Sequence, residues 1–249
     1  DTSLKEPRAT VLIPGARVTA YRYLSSGHSY RLGPGRDLGE TPLERELQAG
    51  SWLLVFQREG FPDVRLPVRA ERGETVDATI QFYTREEIGE GFVYVPGGKF
   101  LMGELHETRE VDVHDFFISR FPVTFEEYCK WLDSLEVDQP DEVKKRAPQD
   151  STNGLIVRKA KDGRYVPFDP SPLPGASEQV DPRLPVFCVS WHNAAAYVAW
   201  RSECDGRRYE LPTEREWEKA SRGADGRTYP WGSRFDATLC KMNESTEAA

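Results

Sequence analysis

Leu211-Pro212-Thr213-Glu214-Arg215-Glu216-Trp217-Glu218-Lys219-Ala220-Ser221-Arg222-Gly223 is the stretch that decides the fold of this chain. Thr213 stands where a helix N-cap belongs, and Glu216 follows three residues on, so each side chain can accept the other's backbone N–H. Gly223 sits where a helix ends in a residue without a Cβ. The spacing predicts a short helix between them, followed by an aromatic turn at Thr228-Tyr229-Pro230-Trp231-Gly232.

The same grammar repeats upstream. Ser190 caps a helix whose apolar residues Trp191, Ala194, Ala195, Val198 and Ala199 fall at helical spacing, and Asp205-Gly206 stops it. Thr124 and Glu127 form another capping box, for a helix running to about Leu135 that buries Phe125, Tyr128, Trp131, Leu132 and Leu135. Before it, Phe92–Met102 reads as strand, Pro-Gly-Gly turn and strand, and Arg109–Ile118 as one long strand entering the core. Between residues 136 and 183 the pattern lapses. Asp138–Glu142 reads as polar loop, four prolines lie between Pro167 and Pro174, and one short strand pair is expected around Leu155–Tyr165.

The first 85 residues differ. Thr10–Ile13, Val18–Tyr23, Trp52–Gln57, Val64–Val68 and Thr75–Gln81 are short β-branched or aromatic runs separated by Gly and Pro turns. That spacing predicts a small all-β sandwich or barrel. An acidic, Gly-flanked connector, Thr84–Gly91, marks the boundary.

Gly39-Glu40-Thr41-Pro42-Leu43, then the Gly50 strand and the Gly60-Phe61 hairpin, resemble the PEGA family. That likeness implies a small sandwich over 1–85 acting as a spacer or surface-binding unit. Val95-Pro96-Gly97-Gly98 with Met102-Gly103, then Phe121-Pro122-Val123-Thr124 with Tyr128, Pro185-Val186 with Ser190-Trp191 and Trp200, the 211–223 stretch and Tyr229-Pro230-Trp231-Gly232 come in an order similar to the formylglycine-generating-enzyme, or sulfatase-modifying-factor, family. This resemblance implies an α+β domain over 86–249, related to C-type lectins and low in regular structure. It also points to the branch in which a PEGA-like unit precedes the domain downstream of a bacterial Ser/Thr kinase; nothing kinase-like is present in these residues.

Members of the family that oxidise a sulfatase cysteine carry, in a C-terminal half, a cysteine pair separated by four residues that binds copper(I). That half is expected to be missing from 86–249, so that a further segment would be needed to complete the domain. Two slots that often hold cysteine in the family are Val198 and Ser221 here. The calcium-binding Asn of the family corresponds to Asn243, at most half a site, since one carbonyl cannot hold a cation that wants six to eight oxygens. No cofactor is evident otherwise; calcium would enter if the missing half were supplied.

Composition sets the limits. Trp, Tyr and Phe make up 11% of the chain, which argues against disorder. The longest apolar runs, Trp52–Phe56 and Leu184–Val189, fall far short of the roughly 20 residues of a spanning helix, and a signal peptide, if one exists, is expected to have been removed already. A soluble bacterial protein is expected, cytoplasmic or extracytoplasmic. Lys and Arg number 12 against 11 Asp and Glu over 1–85, but 21 against 30 over 86–249, which disfavours nucleic acid. Cys129, Cys188, Cys204 and Cys240 form no paired spacing and read as mostly buried thiols. His28 reads as a lone solvated loop histidine, and His106, His114 and His192 lack metal-ligand spacing. Trp191, Trp231 and Tyr229 are the ligand-groove candidates, though aromatics at helical spacing, Trp200 and Trp217 among them, more often serve the core. Two functions compete: a non-catalytic binding or sensor module for a protein, peptide or glycan, or part of a copper-dependent oxidase making formylglycine.

Overall fold

In a computed structural model of the protein, the residues described are 8–11, 14–78, 80–104, 107–170 and 179–240. The chain forms a mixed α/β structure with several small sheets and few helices. It divides into two compact units, residues 1–120 with 212–249, and residues 121–211.

In the first unit, β2 (Arg17–Ser26), β3 (Ser29–Leu32), β4 (Arg36–Glu40), β6 (Gly50–Gln57) and β7 (Val64–Ala70) build a five-stranded sheet. Its order is β3-β2-β6-β7, with β4 also on β2. A second sheet has the order β5-β1-β8, formed by β1 (Arg8–Val11), β5 (Leu43–Glu46) and β8 (Thr75–Ala78). β1 lies antiparallel to β5 and parallel to β8. Alternation fixes which faces are hidden: in β7, Val64, Leu66, Val68 and Ala70 are buried, while Arg65 and Arg69 are exposed. Val18, Leu54, Phe56 and Leu66 of the larger sheet join Ala9, Val11 and Ala78 of the smaller in one core. Strand alternation anticipated β1, β2, β6, β7 and β8. It did not anticipate β3, β4 and β5, whose polar residues leave little apolar pattern to read.

The Thr84–Gly91 connector is not plain loop. Thr84 and Glu87 close a capping box around α1 (Arg85–Ile88). Beyond it, β9 (Phe92–Val95) and β10 (Gly98–Met102) pair with different partners, β9 with β12 (Phe116–Ser119) and β10 with β11 (Arg109–Val113). The single strand expected over 109–118 is therefore two. His114 and Asp115 break it, because the turn at Gly97 comes against their backbone, an ideal Cβ there lying 2.9 Å from the Asp115 nitrogen. α5 (Glu214–Arg222) returns in this unit with the predicted Thr213–Glu216 box and Gly223 at its end. Ala224 beyond it packs with Phe100 and Met102 in a small core.

The second unit is built on α2 (Phe125–Asp138), capped by the Thr124–Glu127 box and three residues longer than predicted. Asp138–Glu142 was expected as loop. Instead α3 (Pro140–Arg146) starts there, since Pro at the first helical turn gives up an N–H that would have no partner. The expected strand pair is present as β13 (Val157–Lys159) and β14 (Tyr165–Pro167). α4 (Trp191–Asp205) has its Ser190 cap and a left-handed Gly206 at its end. Of its predicted apolar face, Val198 packs against the core, whereas Trp191 and Ala199 are exposed. Tyr197 is the buried residue, stacked on Tyr128 at 5.5 Å, while Trp191 is 68% exposed. A ring of this size removes far more apolar surface than a methyl group, so the helix rotates to bury it. Among the described residues no helix is long and apolar enough to cross a membrane.

Candidate functional site

The first unit contains a cleft of about 700 Å³ between β7–β8 on one side and β10–β11 on the other, with Lys219 of α5 in its wall. Its charge is uneven. Glu74 and Asp77 enter from the β7–β8 side, and Glu110, Asp112 and Asp115 from the β11 side. Two cations on the rim are already paired, Arg69 with Glu71 and Lys99 with Glu110 at 2.7 Å. The Lys99 ammonium is held above its ordinary range by the Glu110 hydrogen bond and charge, with further support from Glu74 and Asp112. Carboxylates from both walls thus act on one cation.

Lys219 is 6% exposed, and its Nζ donates to the Gly98 carbonyl at 2.6 Å. Burial in the wall lowers its pKa to about 8, against a small opposing pull from Asp112. Tyr94 lines the cleft, and behind it Tyr83 meets Tyr94 and Phe117 edge to face at 5.0 and 4.9 Å. Asp115 accepts the Tyr83 hydroxyl at 3.1 Å and the Tyr94 hydroxyl at 3.4 Å. Burial chiefly, with the nearby Asp115 charge, pushes Tyr94 up to about 12, so both hydroxyls remain proton donors at neutral pH.

The family-like turn residues Tyr229 and Trp231 do come together. Their rings stack at 5.1 Å and 5°, and Phe235 meets Tyr229 edge-on at 5.9 Å. The Trp231 indole N–H donates to the Arg234 carbonyl at 2.9 Å. This turn is engaged by the β2–β3 hairpin. Tyr30 donates its backbone N–H to the Trp231 carbonyl at 2.6 Å, and its hydroxyl lies 3.0 Å from the Ser233 hydroxyl. Gly232 permits this, because a Cβ there would lie 2.9 Å from the His28 carbonyl. His28 is thus not a lone loop residue, since its Nδ1 lies 3.5 Å from an Asp236 carboxylate oxygen. Beside the hairpin, Arg227 forms a bidentate pair with Asp225 at 2.8 Å and lies over the Tyr23 ring at 4.3 Å. Burial alone would raise the Asp225 carboxyl, but the Arg227 bonds and charge hold it below its ordinary range.

The third groove candidate, Trp191, belongs to the second unit, where its ring meets His192 edge-on at 5.4 Å. Trp217 is likewise exposed. Trp200 is the one of these helical tryptophans that packs against its unit's core. Asn243 and His106 lie outside the described residues. The thiols are less buried than expected: Cys129 is buried, Cys188 and Cys204 are exposed and Cys240 is intermediate. Cys188 precedes α4 and Cys204 lies in its last turn, roughly 20 Å further along the helix, so they cannot meet on one ion. Burial pushes the Cys129 thiol up to about 12, which keeps it protonated and a poor ligand. These three donors of the second unit do not fit a bis-thiolate copper(I) site. No group of three His, Cys, Asp or Glu placed to hold a metal occurs among the described residues. Lys219 and the cleft carboxylates were not singled out from the sequence; a lysine in a charged helix gives no sign that it turns inward.

The comparison with known families now bears on these blocks. A family model, the sulfatase-modifying factor enzyme 1-like domain, matches residues 79–248. The chain belongs to this family. Among relatives of this domain, the Inactive C-alpha-formylglycine-generating enzyme 2 of Mus musculus is 36% identical over 163 residues, 57% of this chain and 51% of that protein. The Formylglycine-generating enzyme of Thermomonospora curvata is 32% identical over 172 residues, 60% of this chain and 55% of the other. The Serine/threonine-protein kinase pkn1 of Chlamydia caviae is 31% identical over 162 residues, 61% of this chain but 23% of the kinase. The chain thus spans about half the length of the first two relatives. The family domain therefore occurs in proteins named as active, as inactive and as kinases.

Proposed function

We propose that this chain is a non-catalytic binding or sensor module for a protein, peptide or glycan, serving as the regulatory tail of a larger bacterial protein such as a Ser/Thr kinase. The observation that carries the reading is the cleft, concave and lined by carboxylates, the Tyr94 side chain and one buried amine, with no cysteine among the described residues of its wall. Residues 1–85 act in this reading as a PEGA-like sandwich that supplies one wall of the cleft. Residues 86–249 act as a domain of formylglycine-generating-enzyme type, related to C-type lectins. The stacked Tyr229 and Trp231 rings and the exposed Trp191 are further contact points. The inactive mammalian relative and the kinase relative support this reading by their names.

The second reading, part of a copper-dependent oxidase that converts a sulfatase cysteine to formylglycine, is favoured by the similarity to the Thermomonospora enzyme. The placement of Cys129, Cys188 and Cys204 weighs against it, since copper(I) needs converging thiolates. The deciding experiment incubates the chain with copper(I), oxygen and a Cys-x-Pro-x-Arg peptide, and assays aldehyde with a hydrazide probe. No aldehyde is expected. Stoichiometric copper(I) binding with aldehyde formation would replace the first reading by the second.

A further inference from the structure

We propose that the cleft of the first unit is a docking site for an extended peptide segment rich in lysine and arginine. This rests on the reading of the chain as a binding module and names its partner. Three observations carry it. First, the cleft is concave, with a volume of about 700 Å³, and its walls come from separate stretches of chain. β7 and β8 precede residue 79, where the family match begins, so this is not a site that the family domain makes by itself. Second, its charge is unbalanced. Six carboxylates line it against Arg69, Lys99 and Lys219, and with Arg69 and Lys99 already paired, Glu74 and Asp77 have no ion-pair partner among the described residues. The Lys99 ammonium feels Glu74 from one wall and Glu110 and Asp112 from the other, so the carboxylates of both walls act on the same space.

Third, the wall holds a donor suited to a backbone. The Lys219 amine is more than nine-tenths buried, and the Gly98 carbonyl is the one hydrogen-bond partner found for it among the described residues. An ammonium has three N–H groups, so it has the capacity for two further acceptors beyond the Gly98 carbonyl. Peptide carbonyls are such acceptors; a polyamine has none. The half-buried Tyr94 ring gives the alkyl stem of a lysine or arginine an apolar surface to lie on. An acidic peptide would meet Glu74, Asp77 and Asp112 with like charge, and a glycan would leave them uncompensated.

The test uses the full chain and fluorescence anisotropy with a labelled octapeptide, Gly-Lys-Ala-Lys-Gly-Arg-Ala-Lys, and a counterpart carrying Glu at each basic position. The basic peptide should bind and weaken with salt, and the acidic one should not bind. Glu74→Gln with Asp77→Asn, two exposed and isosteric changes, should weaken the basic peptide about tenfold. Lys219→Met should weaken it about fivefold while leaving spermidine binding no weaker. Equal binding of both peptides, no effect of the Glu74/Asp77 pair, or spermidine displacing the peptide with matching affinity and the same Lys219 response would each overturn the proposal. Those outcomes are separate from the failure of the binding-module reading, which would show as aldehyde formation.

Discussion

The carboxylate of Glu218 accepts the backbone N–H of Gly103 at 2.7 Å, although 115 residues separate them in sequence. Arg222, one turn along α5, pairs with Glu218 at 2.7 Å and donates to the Gly103 carbonyl at 2.9 Å. One helix face thus clamps both ends of a single residue. Gly103 has φ +100°, and a Cβ there would lie 2.6 Å from the Glu107 carbonyl, so only glycine can present its backbone this way. The sequence blocks Met102-Gly103 and Glu218-x-x-x-Arg222-Gly223 are two halves of one contact.

Removing one half should be costly. Glu218 and Arg222 side chains are 13% and 10% exposed, so Glu218→Ala leaves a nearly buried guanidinium without its counter-charge. We expect a loss of about 3 kcal/mol. Urea denaturation followed by tryptophan fluorescence measures it, and a loss below about 1 kcal/mol would show that the clamp contributes nothing beyond an exposed pair.

Lys219, the next residue, makes stability depend on pH. Its folded pKa is about 8 against an ordinary 10.5, so the unfolded chain binds the proton more tightly. Below pH 8 both states are charged and the burial penalty is present in full. As pH rises from 8 towards 10.5 the folded state sheds its proton first and gains stability. The gain is on the order of 3 kcal/mol across that window. Cys129, whose thiol is raised to about 12, and Tyr94 oppose it at the upper end, because their folded forms hold protons that the unfolded chain loses. The measurement is therefore a difference: the stability of the parent chain minus that of Lys219→Met should rise between pH 7.5 and 10. A flat difference would mean that the amine is solvated.

What the sequence made legible was what local physics dictates. Three of the five α-helix starts among the described residues, at Thr124, Ser190 and Thr213, stood where their side chains could cap, because a cap is satisfied within four residues. The turn glycines and the alternation of β7 belong to the same class. What stayed hidden depends on distant partners. Tyr197 was outweighed by the alanines beside it until Tyr128 supplied a ring to stack on. His28 looked isolated because Asp236 is more than two hundred residues away. The cleft was invisible for the same reason, since Glu74, Asp112 and Lys219 carry no common pattern along the chain.

Cysteine reactivity separates the three thiols of the second unit. Cys129 is packed on α2 in the core of the second unit with Phe125, Tyr128 and Leu132, and burial pushes its thiol up to about 12. The nearby Asp133 charge adds to that rise. A disulfide reagent attacks thiolate, and at pH 8 a group with this pKa supplies almost none, behind a wall of side chains that also blocks access. Cys188 and Cys204 are exposed in the same unit. Native protein treated with Ellman's reagent at pH 8, digested and mapped by mass spectrometry, should show Cys188 and Cys204 modified quickly and Cys129 left intact until denaturant is added. Rapid native labelling of Cys129 would mean that the aromatic core of the second unit opens readily, and it would remove the argument that this sulfur is chemically silent.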